Sequence, residues 1–192
     1  MDIDISKDNI TVLGLDPPAS TNMGWAIFST KNTNGMGKMV DGGIFVLPDR
    51  EKDRLLAIRD FIIDLIDKYN VNSIVFERSI GRGFDAVRAC ISENTGVIKL
   101  VAASYDIQFE AIHTSTMALQ FTGSGSFKGK KSRIKQTARD IFHPGMSYKS
   151  IASSPSGNEC YEHLADSEGF CVTYLLKLGI PVEGPGGTIF PK

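Results

Sequence analysis

Hydrophobic positions in this chain follow two periods, and the changes between them predict its elements. Residues 10–16 (ITVLGLD) are apolar almost without a break and then meet Pro17-Pro18. A run of this kind reads as a central strand covered on both faces, ended by prolines that cannot donate to a ladder. Strands are predicted at 23–30 and 38–47, joined by the turn Asn32-Thr-Asn-Gly35, so that 10–47 forms an antiparallel meander. Residues 54–69 switch to the helical period, with Leu55, Ile58, Ile62, Leu65, Ile66 and Tyr69 on one stripe. A fourth strand at 72–77 follows, and the intervening helix is a crossover that lets it lie parallel to the first.

The pattern continues with a loop at Gly81-Arg-Gly83 and a helix over 84–103 whose apolar side carries Val87, Cys90, Ile91, Val97, Ile98 and Val101. A fifth strand is predicted at 106–113, a short helix at 114–121, a basic helix at 130–142 and a last helix at 159–178, ended by Gly179 and Pro181. Residues 143–158 and 184–192, rich in Gly, Pro and Ser, read as irregular and flexible. The expected fold class is α/β, a five-stranded mixed sheet, three strands antiparallel and the rest parallel, with helices on both faces. The whole chain, 1–192, is expected to be one domain.

Two of these strands end in a carboxylate, Asp16 and Glu77, and adjacent parallel strands would bring the two within a few ångströms. Asp before two prolines is also an ordinary turn residue; the second carboxylate at the matching place favours a site. Like charges at that range call for a cation between them. Oxygen ligands without paired thiols point to Mg²⁺ or Mn²⁺. On the last helix Glu159, Glu162, His163 and Asp166 stand at helical spacings, close to one face. Asp16, Glu77, His163 and Asp166 could hold two metals about 4 Å apart, the arrangement phosphodiester cleavage uses. Glu162, one turn before Asp166, is an alternative ligand to His163.

Composition alters this picture little, and charge alters it locally. The chain is 42% apolar and 22% charged with a net charge of −1, which fits a globular protein and excludes a sequence-wide polyanion binder. Yet residues 128–139, KGKKSRIKQTAR, hold six basic residues and no acid. Lys128, Lys130, Lys131, Arg133 and Lys135 are therefore candidate phosphate contacts, with Arg78, Arg82 and Arg88 around the loop after Glu77 as a second edge. The acidic N-terminus does not resemble a leader peptide. Cys90, Cys160 and Cys171 lack metal or redox spacing; Cys90 and Cys171 read as buried thiols, and a reducing cytoplasm is the expected setting.

The segments VLGLDPPASTNMGWAIF (12–28), IVFERS (74–79), DAVRACISENTGVIKLVAAS (85–104), KKSRIKQ (130–136) and HLADSEGFCVTYL (163–175) resemble, in order, those of RuvC-type Holliday junction resolvases of the RNase H-like superfamily. The resemblance implies a catalytic tetrad at Asp16, Glu77, His163 and Asp166, two Mg²⁺ or Mn²⁺ ions, and a DNA contact at Lys131. It implies paired nicking of four-way junctions by a homodimer, leaving 5′-phosphate and 3′-hydroxyl ends, in a bacterial cell or a phage-infected host. Members often place an aromatic residue three positions after the strand-four Glu; this chain has Ile80 there, and Phe84 beyond. Cutting of other branched DNA, such as flaps, forks or bulges, stays open on that account. So does a non-catalytic junction-binding module on the same fold. A sugar-kinase-like ATPase would need a glycine-rich adenosine motif and a longer two-lobed chain.

Overall fold

The computed structural model describes residues 7–18, 21–48, 50–78, 85–126, 128–152 and 160–191. Strands β1 (Thr11–Asp16), β2 (Asn22–Ser29) and β3 (Gly37–Val46) form the predicted antiparallel meander. Helix α1 (Glu51–Tyr69) crosses over to β4 (Ser73–Glu77), which pairs parallel with β1. Helix α2 (Asp85–Ser104) then returns the chain to β5 (Gln108–Ile112), parallel to β4. Among the described residues, α3 (Thr114–Thr122), α4 (Lys130–Phe142), α5 (Tyr148–Ile151) and α6 (Tyr161–Lys177) follow.

The sheet has seven strands, not the five expected, in the order β5-β4-β1-β2-β3-β6-β7. The tail that reads as irregular forms a hairpin, β6 (Val182–Gly184) and β7 (Gly187–Ile189), with β6 parallel to β3. Its glycines are what let it dock. A Cβ on Gly184 would lie 2.4 Å from the carbonyl oxygen of Ile141, and one on Gly186 would lie 1.7 Å from that of Asp140. The short α5 likewise stands within the stretch expected to be irregular.

Alternation along the strands divides the core into two layers. Leu13, Leu15, Ile27, Ile74 and Phe76 face α1 and α2, where they meet Ile58, Ile62, Ile98 and Val101. Val12, Ala26, Phe28 and Val75 face the other way, against Met117 of α3, Ala138 of α4 and Leu164 and Phe170 of α6. The predicted stripe of α2 is offset from the observed one. Asn94, Ile98, Val101 and Ala102 are its buried residues, while Val87 is exposed. Cys171 is buried as expected, but Cys90 is only partly so.

Helix α6 lies against β1 and β2 at a distance that only glycine permits. A Cβ on Gly14 would stand 2.4 Å from the Ser167 carbonyl oxygen, and one on Gly24 would stand 2.0 Å from that of His163. Gly24 is the cross-strand partner of Asp16. The side-chain-free stripe on the sheet therefore seats the first turn of α6 directly over the end of β1.

Candidate active site

Parallel pairing of β1 with β4 aligns Leu15 with Phe76, so Asp16 and Glu77 are the next residues on each strand. Both leave the Leu15/Phe76 layer for the opposite face, the one covered by α6. Asp16, Glu77, His163 and Asp166 then line one cleft of about 280 Å³, with Glu162, Thr114, Lys130 and Lys131 on its walls. Glu159 lies outside the described residues.

His163 Nδ1 is 2.8 Å from Asp16 Oδ2. That hydrogen bond raises the imidazole pKa above 6.5, outweighing burial, and Asp16's charge adds to it. The bond occupies one ring nitrogen and leaves Nε2 for a ligand or water. Glu77 has its pKa raised first by burial and then by the charge of Asp16, against the opposing hydrogen bond from Thr114. Asp166 is pushed well above 3.8, first by burial and next by the charges of Asp16 and Glu77. In the space the three carboxyls share, Asp16 thus opposes the ionisation of Glu77, and both oppose that of Asp166.

Partners that sequence patterning does not reveal hold this arrangement. Thr114 Oγ1, at the start of α3, donates to Glu77 Oε1. Asn94 Nδ2 donates to the Pro18 carbonyl at 2.8 Å, which ties the turn after Asp16 to α2. Ser167-Glu168-Gly169, unusual for a structural helix, has a packing explanation. Ser167 bonds the His163 carbonyl, fully buried Glu168 meets His143 Nε2 at 2.7 Å, and Gly169 makes room for Met117. Thr114→Val is expected to lower the rate of any reaction at the cleft about 10- to 100-fold by releasing Glu77, while Thr114→Ser keeps it; comparing kcat for the two variants checks this.

The basic candidates divide. Lys130 and Lys131 reach the cleft, and Lys131 Nζ lies 3.7 Å from Glu162. Lys128 is exposed in the turn before α4. Arg133 folds back on the turn before α4, donating to the backbone carbonyls of Lys128 and Ser126. Lys135 Nζ sits 4.7 Å over the Tyr148 ring. Those two side chains brace the start and the flank of α4. Arg78 is exposed directly beyond Glu77, and Arg88 pairs with Asp85. Arg82, Ile80 and Phe84 lie outside the described residues.

The donor set suits a hard divalent cation: three carboxyl groups, of which Glu77 and Asp166 are raised in pKa first by burial and then by neighbouring charge, with one imidazole. Among the described residues, no three acidic, histidine or cysteine groups close tightly around a single point. No helix among them is long and apolar enough to cross a membrane. For Asp166 the folded-state pKa lies above the unfolded value, so the folded protein holds that proton longer. The stability this group contributes without metal is full below about pH 4 and falls as pH rises through the raised pKa. Asp166→Asn is expected to remove that fall, giving a higher melting temperature at neutral pH in EDTA; melts between acid and neutral pH check it.

Residues 12–143 match the family described as crossover junction endodeoxyribonuclease RuvC. The match ends before α6, so His163 and Asp166 join the cleft through the fold rather than through the matched segment. The Thermus thermophilus RuvC structure is similar at a TM-score of 0.66 and 16% identity, covering 88% of this chain and 97% of that one. The same protein in complex with a Holliday junction substrate gives 0.66 and 14%, with the same coverage. The fowlpox virus Holliday junction resolvase gives 0.55 and 14%, covering 88% of this chain and 99% of that one. Comparison with curated proteins found no match. RuvC-like nucleases depend on divalent metal. With most of its length matched, this chain belongs to the RuvC family of crossover junction endodeoxyribonucleases.

Proposed function

We propose that the chain is a divalent-metal-dependent endonuclease that resolves four-way DNA junctions by paired nicks. The carrying observation is the single cleft lined by Asp16, Glu77, His163 and Asp166, walled on one side by Lys130 and Lys131. Asp16, Glu77 and Asp166, with His163 through Nε2, would hold two Mg²⁺ or Mn²⁺ ions; Glu162, already paired with Lys131, is the alternative ligand. Bound ions supply the activation of water and the neutralisation of the departing oxyanion.

The chain's own groups supply the rest. Lys130 and Lys131 draw a phosphodiester towards the carboxylates, and Lys128 extends that edge. Thr114 fixes Glu77, and Asp16 fixes the His163 ring. Arg78 offers a further backbone contact, and Arg82 follows it in sequence. Two nicks call for two sites, which a twofold homodimer would supply. Three free thiols fit a reducing cytoplasm.

Rates on a four-way junction, a flap, a fork and a bulge, each with Mg²⁺, Mn²⁺ or EDTA, test the reading. Junction cleavage that is fastest of the four and abolished by EDTA is the expected result. Equal rates on all four would favour a general branched-DNA nuclease. Junction binding without any metal-dependent cleavage would leave a binding module.

A further inference from the structure

A second cavity, of about 310 Å³, opens on the other side of β4, between the sheet and α2. Arg78 and Lys99 bring positive charge to it, Ser92 and Thr95 bring hydroxyls, and Phe76 contributes to its wall. Ser92, Thr95 and Lys99 stand at i, i+3 and i+7 of α2 and so share one helical face. Glu77 borders both this cavity and the catalytic cleft.

Two features mark the cavity as built for an anion. Among the described residues, neither Arg78 nor Lys99 has an ion-pair partner, although acids are as common as bases along the chain. The Thr95 hydroxyl is buried and has no hydrogen-bond partner. A buried donor without an acceptor is costly and rare in native proteins, and a ligand oxygen would satisfy it. A guanidinium, an ammonium and two hydroxyls around one space match the tetrahedral oxygens of a phosphate.

We infer that this cavity is a phosphate subsite, formed by Arg78, Ser92, Thr95 and Lys99, that holds the DNA backbone beside the scissile position. It rests on the nuclease reading for its source of phosphate. A strand laid across the end of β4 would meet the catalytic cleft on the α6 side and this cavity on the α2 side. The subsite therefore sets which phosphodiester of a continuous strand reaches Asp16 and Glu77.

Two arms test it on the full-length chain, using Lys99→Gln and Thr95→Val. The first measures melting temperature in inorganic phosphate against chloride at matched ionic strength. Phosphate should raise the melting temperature of the wild type, and each substitution should cancel that rise. The second measures four-way junction affinity in EDTA across a salt series. Lys99→Gln should lower the magnitude of the log–log salt slope by roughly one and weaken binding about five- to tenfold near 0.1 M salt. An unchanged phosphate response in both variants would overturn the subsite, whatever the cleavage assay gives. A lost phosphate response with an unchanged junction slope would overturn its assignment to the DNA backbone. If the wild type ignores junctions while the phosphate response still depends on Lys99, the nuclease reading fails and the anion subsite stands.

Discussion

Asp16→Asn is expected to lower the rate of junction cleavage by about 10³-fold or more, equivalent to roughly 4 kcal/mol of lost transition-state stabilisation. The side chain is buried at the end of β1, accepts from His163 Nδ1, and shares its cleft with Glu77 and Asp166. Asparagine matches its shape but carries no charge, so the carboxylate set loses a third of its acidic groups without leaving a void. The same change relieves repulsion on Asp166 and Glu77. The metal-free melting temperature should therefore hold steady or rise while cleavage collapses. Single-turnover cleavage with Mg²⁺, paired with melts in EDTA, reads both quantities. Comparable cleavage by the two proteins would remove Asp16 from the chemistry.

Gly24→Ala should cost more in structure than its single carbon suggests. The added Cβ would stand 2.0 Å from the His163 carbonyl oxygen and 2.8 Å from the Leu164 nitrogen, both backbone atoms that no rotamer change can move aside. Relief requires shifting the first turn of α6 off the sheet. Overpacking of this kind costs about 1–3 kcal/mol, and backbone contacts put this site at or above the upper end. The shift would also carry His163 away from Asp16, so metal affinity should fall with stability. Denaturant midpoints and Mn²⁺ titration check this. A variant with native stability and native metal affinity would mean that α6 tolerates a looser seat.

Much of the fold is legible in the chain because its strands carry their own evidence. The unbroken apolar run before Pro17 and the shorter one before Glu77 announce buried parallel neighbours, and their register follows from one crossover helix. That Asp16 and Glu77 meet is legible for the same reason, since adjacent parallel strands that each end in a carboxylate bring the two together. What is illegible depends on the partner surface. The Gly-Pro tail pairs as β6 and β7 because Ile141 and Asp140 present carbonyls against which only glycine fits, and no local propensity encodes that fit. Thr114 and Asn94 look like ordinary polar helix residues until Glu77 and the Pro18 carbonyl are placed beside them. Charge density along 128–139 also hides how differently its basic side chains are placed. Arg133 and Lys135 spend their charges on backbone carbonyls and an aromatic ring, a use that composition cannot distinguish from phosphate binding.

The hydrogen bond between Asp16 and His163 joins residues 147 positions apart. A ribosome adding roughly 5–20 residues per second needs about 7–30 s to travel between them. During that interval the first strand, with its carboxylate, has left the ribosome, while the helix that completes the site has not been made. A chain interrupted between β4 and α6 holds Asp16 and Glu77 without Asp166, and Gly14 and Gly24 without the helix they seat. On the proposed tetrad, such a nascent or broken copy lacks half of its groups, and cutting would begin only once α6 has docked on the sheet.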